Sequence, residues 1–246
     1  MAGINEFTKL MLHLEGADTS TTFTDDSGQS HTVTATSDAQ IDTAQFKFGS
    51  SSCLFSGTGI TAAGEDFIQS DSHADFNFSG TPFTIDWRIM YNLTTNLRTL
   101  FFTSVNPGFG LLHRFDTDSK LHWYLSSNDA SHDIANAVAG TKATWNTGQW
   151  YHEAITWDGT NYRMFVDGTV DLTIANGTSL ANNSHAIRIG ALDATDYGVN
   201  GWIDEFRVQK GEAVWTANFV PPTEAYSGTA AVLTSGFYKS MMGVGL

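Results

Sequence analysis

Along most of this 246-residue chain, apolar and polar side chains alternate with a period of two, the repeat of a strand that buries one face. Residues 82–89 show it most cleanly: Phe83, Ile85, Trp87 and Ile89 share one face, which is expected in the core. Residues 150–157 and 162–168 alternate as well and are joined by Asp158, Gly159, Thr160 and Asn161, so they read as a hairpin. Shorter β-prone runs at 10–16, 32–34, 100–102, 110–112, 121–125 and 186–190 are separated by stretches rich in Gly, Asp, Asn and Ser. That spacing suits a meander of antiparallel strands. No long stretch carries the i, i+3, i+4, i+7 pattern of a capped helix, so the chain is expected to be nearly all β. In residues 201–208, GWIDEFRV, the same rule puts Trp202, Asp204 and Phe206 on one face. A carboxylate on the apolar side of a sheet is costly unless it is paired, protonated or bound to a metal.

Several of these strings occur in an order that resembles laminin-G-like domains of the concanavalin A-like lectin/glucanase group. LHLEG at 12–16 and DDSGQSHTV at 25–33 are similar to the segments that open such sandwiches. FKFGSSSCLFSG at 46–57 resembles the family's following hairpin, and WYHEAIT at 150–156 with MFVDG at 164–168 its central one. NGWIDEFRVQKGEAVWTANFVPP at 200–222 looks like the closing strand. The resemblance spans roughly residues 10–226 and implies an all-β, two-sheet antiparallel β-sandwich of the concanavalin A-like jelly-roll type. Residues 1–9 would form a short N-terminal lead and residues 227–246 a C-terminal tail. The resemblance further implies a structural calcium between the opening segment and the closing strand, with Asp204 as carboxylate ligand and Glu15, Gly16 and Asp25 as contributors. The alternative is that Asp204 accepts backbone N–H bonds and binds nothing.

Charge narrows the partners. With 26 acidic against 12 basic residues and a formal charge of −14, tracking along a nucleic-acid backbone is disfavoured. The 41% hydrophobic content, with seven Trp, is ample for a core. Cys53 is the single cysteine, which excludes an intrachain disulfide and a cysteine-based zinc cluster; it is expected to be a buried small hydrophobe. Residues 1–9 lack the basic and apolar regions of a secretion signal, and no apolar run is long enough to span a bilayer. Folding in a host cytoplasm without membrane insertion is the expectation.

Candidate chemistry is sparse. A glycosidase needs two carboxylates about 5 to 10 Å apart across one cleft, and the catalytic relatives in the superfamily carry them at alternating positions of one strand. No such strand is visible; Asp116 and Asp118 in FDTDSKL read as a turn. None of the eight His has a His-x-x-x-His metal spacing, and no nucleophile-elbow or phosphate-loop string occurs. His152 is expected to be a satisfied strand histidine, and no catalytic residue is assigned. For sugar binding, Trp145, Trp215, Tyr197 and Tyr91 lie in loop-like contexts, whereas Trp87, Trp150, Trp157 and Trp202 are expected in the core.

The tail bears on the function class. Residues 227–246, SGTAAVLTSGFYKSMMGVGL, have Lys239 as their only charged side chain. Val232, Leu233, Phe237, Tyr238, Met241, Met242 and Leu246 make this an apolar segment suited to anchoring on a partner. A lectin-like domain with such a tail resembles the structural proteins of tailed-phage virions. The resemblance implies a non-enzymatic capsid-decoration, head-fibre or tail-fibre subunit on the virion surface. Its partners would be other virion subunits, further copies of itself and a host-surface glycan. A free carbohydrate-binding lectin is the alternative, and a glucanase relative a third reading.

Overall fold

The computed structural model describes residues 3–59, 63–95, 97–103 and 110–228. The tail residues Val232, Leu233, Phe237, Tyr238, Met241, Met242 and Leu246 lie outside the described residues. In chain order the strands are β1 (Thr8–Leu12), β2 (Val33–Thr36), β3 (Gln40–Asp42), β4 (Ser52–Ser56) and β5 (Phe67–Ser70). A 3-10 turn at Ala74–Phe76 follows, then β6 (Phe83–Tyr91), β7 (Arg98–Phe102), β8 (Leu111–Phe115), β9 (Leu121–Leu125) and β10 (Ala135–Ala139). The chain continues with β11 (Trp150–Trp157), β12 (Asn161–Val166), β13 (Thr169–Ala175), β14 (Arg188–Ile189) and β15 (Asn200–Lys210).

These strands form two antiparallel sheets. The eight-stranded sheet runs β13, β12, β11, β6, β15, β4, β3, with β1 added beside β15. The seven-stranded sheet runs β10, β9, β8, β7, β14, β5, β2. Strand β15 is the seam: its first half pairs with β4 and its second half with β1, while β6 runs along its other edge. The expected hairpin at 150–168 is present as β11 and β12, in register from Glu153 opposite Val166 to Trp157 opposite Tyr162. The string at 46–57 departs from a simple hairpin. Its second half is β4, which pairs with β3, and residues 46–51 belong to the turn between them.

Alternation decides which face is buried. Phe83, Ile85, Trp87, Ile89 and Tyr91 of β6 all point between the sheets, against Leu100, Phe101, Leu111, Phe115, Leu121 and Trp123 of the opposing sheet. Trp87, Phe101 and Phe206 stack with ring centroids 5.8–6.4 Å apart. Each such ring contributes roughly 1.5 to 3 kcal/mol by burial. Cys53 is fully buried and free, as its sequence context implied. One carboxylate also sits in this core. Glu153 accepts a hydrogen bond from the Tyr91 hydroxyl at 2.6 Å and lies 3.2 Å from His113 Nε2. Because Trp123 Nε1–H donates to His113 Nδ1 at 2.8 Å, the imidazole proton belongs on Nε2, where it serves Glu153. The group is satisfied and sealed from solvent.

Strand β15 corrects the simple period-two reading. Its pairing with β6 slips between Asp204 and Arg207, and Glu205 takes a left-handed backbone with φ 51°. This is a β-bulge, one extra residue that reverses the phase of the strand. Before it Ile203 faces the core, and after it Phe206 and Val208 do. Trp202 and Asp204 therefore lie on the outer face, opposite to Phe206 rather than beside it.

Candidate functional site

The outer face of the eight-stranded sheet is built in rows across β11, β6 and β15. Thr156, Thr84 and Gln209 form the first row, and Ala154, Asp86 and Arg207 the second. His152, Arg88 and Asp204 form the third, and Trp150, Met90 and Trp202 the fourth, extended by Leu54 and Gln40 of β4 and β3. The first two rows are buried under the N-terminal lead and the segment that follows β15. Arg207 Nε donates to Asp86 Oδ1 at 2.9 Å, and His152 Nε2 lies 3.2 Å from Asp86 Oδ2, which the Tyr226 hydroxyl also reaches. Arg207 lies 3.8 Å from the Tyr226 ring centroid and donates to the Gly3 carbonyl. Burial pushes the Asp86 carboxyl up, but Arg207, His152 and Tyr226 more than offset it and hold it below its ordinary range. His152, expected as a satisfied strand histidine, is satisfied only at Nε2, its buried Nδ1 having no partner, and burial pushes the imidazole down.

The third row is buried as well. Arg88 donates to the Pro222 carbonyl and packs 5.5 Å from the Phe48 ring centroid. Asp204 Oδ2 accepts the Lys47 and Phe48 backbone N–H groups at 2.8 and 3.0 Å, while Oδ1 is buried without a partner. Burial outweighs these bonds and raises the Asp204 carboxyl to about 7. The bulge brings Glu205 to the same region: it holds His13 Nδ1 at 2.6 Å and the Tyr226 N–H at 2.9 Å. The hydrogen bond to Glu205 raises the His13 imidazole above its ordinary value.

The fourth row is different. Trp150, Trp202 and Leu54 are half-buried, and Met90 lies between the two indoles. Trp150 and Trp202 were expected in the core; instead they stand on the outer face, because Tyr151 and Ile203 take the inward positions next to them. Two strand spacings of about 4.8 Å set the two Trp roughly 9.6 Å apart. The result is a partly exposed apolar step beside the polar Arg88 and Asp204. Of the other aromatics proposed for sugar contact, Tyr91 is wholly buried in β6. Trp145 packs on Tyr91, Phe115 and Tyr151, and Trp215 stacks on Phe219 at 4.1 Å. Tyr197 lies 5.6 Å from the Arg114 guanidinium.

The expected calcium ligands are only partly assembled. Glu15 accepts from Ser50 N and Ser50 Oγ, and Gly16 N–H donates to Ser51 Oγ, so both act on the turn that Asp204 also holds. Asp25 is engaged elsewhere, accepting the Met11, Ser27 and His31 N–H groups. Of the three carboxylates, only Asp204 keeps an oxygen without a partner. A calcium there would draw most of its six to eight oxygens from backbone carbonyls and water.

Carboxylates do not pair along the central strands. The outer face of β6 carries Asp86 alone and that of β11 carries none, while Glu153 is sealed in the core. Asp116 and Asp118 make the turn between β8 and β9 that their sequence implied, with Ser119 N–H donating to the Asp116 carbonyl.

Residues 63–215 match the laminin-G-type family model described as the concanavalin A-like lectin/glucanases superfamily. The chain belongs to that superfamily. No curated protein matches it. Among solved structures, it is similar to the binding domain of botulinum neurotoxin DC in complex with rat synaptotagmin II. The TM-score is 0.61 at 19% identity, over 84% of this chain and 48% of that one. A botulinum neurotoxin type C structure, whose cell entry is described as dependent on two ganglioside molecules, gives 0.60 at 18% identity, over 84% and 48%. Domain 4 of an extracellular arabinanase from Geobacillus stearothermophilus, in complex with arabinotriose, gives 0.58 at 15% identity, over 83% and 92%. The chain thus spans about half the length of the toxin chains, 48%. At these identities the likeness is one of fold.

Proposed function

We propose that the chain is a non-catalytic, lectin-like binding domain that meets glycans on the outer face of its eight-stranded sheet. The observation that carries the reading is the row of Trp150, Met90, Trp202 and Leu54. Sugar rings present apolar faces that stack on indoles and hydroxyls that need polar partners, and the half-buried Gln40 borders the row. Membership of a superfamily of lectins and glucanases supports the reading, as does the absence of an outer-face carboxylate pair along β6 and β11. The finer proposal is a structural subunit of a tailed-phage virion, a capsid decoration, head fibre or tail fibre, folded in the host cytoplasm. It associates with other virion subunits or copies of itself through residues 227–246, and its sandwich meets a host-surface glycan. The contrast between a chain of charge −14 and a tail with one charged side chain supports it. A structural calcium at Asp204 Oδ1 belongs to the same proposal. A glycan array on the purified chain tests the binding reading, and a particle proteome tests the virion one. Array binding without recovery in particles favours a free lectin, and β-glucan hydrolysis overturns the non-catalytic reading.

A further inference from the structure

We propose that His31, His73 and Asp75 bind one zinc-type divalent transition-metal ion, with Asp71 holding His31 from behind. The strands bring these residues together. β2 and β5 pair at the edge of the seven-stranded sheet with Val33 opposite Ser70, and the ladder continues as Asp71 N–H donates to the Thr32 carbonyl at 2.9 Å. His31 therefore emerges beside the loop that carries Asp71, His73 and Asp75. The His31 backbone N–H is fixed by Asp25 Oδ2, and its ring packs 4.7 Å from the Phe76 ring.

The donor atoms converge. His31 Nε2 and His73 Nδ1 lie 3.2 and 3.0 Å from Asp75 Oδ2, and a ligand atom from each of the three residues falls within 4.8 Å of the others. Metal bonds of about 2.0 to 2.2 Å in a tetrahedron put ligand atoms roughly 3.3 Å apart, so the ion fits with small side-chain adjustments. His31 Nδ1 lies 3.1 Å from Asp71 Oδ1, the carboxylate behind imidazole that orients a metal-bound histidine.

The contacts themselves argue for a cation. A neutral imidazole has one N–H, yet His31 faces a carboxylate at each nitrogen while its side chain is 3% exposed. His73 Nδ1 accepts the Asp75 N–H at 3.2 Å, so its lone pair also confronts the Asp75 carboxylate. A divalent ion lying between the donors satisfies both contacts at once, with His73 Nδ1 exchanging the Asp75 N–H for the metal. Two imidazoles and one carboxylate favour a zinc-type ion over calcium or magnesium, which take oxygen ligands. His73, with 49% of its side chain exposed, leaves a path for entry and a fourth position for water. Lys210 opposes the ion: its Nζ donates to the Ala74 carbonyl at 2.7 Å and lies in the field of Asp75.

The test uses the untagged full chain, stripped of metal and titrated with Zn2+ by calorimetry and with Co2+ by visible absorption. One equivalent is expected, with the Co2+ bands of a four-coordinate nitrogen and oxygen site, undisturbed by excess Ca2+ or Mg2+. His73→Ala, whose side chain contributes little to the core, should remove the site while circular dichroism stays native. Asp71→Asn should weaken binding by about 10- to 100-fold. No uptake of Zn2+ by the wild type, uptake equal in wild type and His73→Ala, or displacement by Ca2+ overturns the proposal.

Discussion

Replacing Asp204 by Asn should make the protein more stable at neutral and alkaline pH, because the wild type buries a carboxyl that resists ionisation. Its folded value is raised to about 7 from the ordinary 3.8. Below the lower value both states hold the proton, so Asp204 adds no pH dependence there. Between the two the unfolded chain releases the proton and the folded chain keeps it, so stability falls as pH rises, by up to about 1.4 kcal/mol per pH unit. Over roughly three units the loss reaches about 4 kcal/mol, an upper figure because the site can relax or admit water. Asparagine keeps an oxygen to accept the Lys47 and Phe48 N–H groups and has no charge to bury. The stability difference, variant minus wild type, should therefore grow from near zero at about pH 4 to roughly 2 to 4 kcal/mol at about pH 8. Urea unfolding followed by tryptophan fluorescence in chelator measures it at each pH, and titrating groups that do not feel the Asp204 charge cancel in the difference. Parallel curves, or a variant less stable than wild type at pH 8, would refute the reasoning. Repeating the series with calcium tests the metal: if the ion sits on Asp204, the wild type regains stability and the variant does not.

Breaking the buried pair through Asp86→Asn or Arg207→Met should each cost about 3 to 5 kcal/mol in urea unfolding, since the remaining charge is left buried; the double variant Asp86→Leu with Arg207→Met should recover much of that. The raised imidazole of His13 contributes stability that is fully present below its ordinary 6.5 and is lost as pH rises through its folded value. Glu205→Gln should bring the His13 NMR titration back toward the ordinary value and flatten that loss. Deleting residues 229–246 keeps the Ile4 N–H bond to the Ser227 carbonyl, so it should leave a soluble folded sandwich, and on the proposed virion role that sandwich should no longer incorporate into particles. Normal incorporation would move attachment to the sandwich or the lead.

The strands that alternate without interruption were legible from sequence. Phe83, Ile85, Trp87 and Ile89 face the core as read, and the β11 and β12 hairpin falls where its turn residues put it. The misreadings share a cause. A period-two rule carries a face along a strand only while each residue is paired one to one, and the bulge at Glu205 adds a residue that no apolar pattern announces. Trp202 and Asp204 were therefore put on the face of Phe206. Trp150 reads as core because most strand aromatics go there, although its own alternation with Tyr151 points it outward. The convergence of His31 with His73 and Asp75 depends on which strands become neighbours, and local spacing is silent about that. The alternating Asp71, His73, Asp75 was the one local sign of it.

The central claim is that the sandwich binds glycan through the row of Trp150, Met90 and Trp202. The direct measurement is a titration of the strongest glycan-array ligand against the wild type, Trp150→Ala and Trp202→Ala, with circular dichroism to confirm that each variant keeps the native fold. The account predicts saturable binding by the wild type and a loss of at least about tenfold in each variant, the equivalent of 1.4 kcal/mol. Wild-type affinity retained in both folded variants would contradict it.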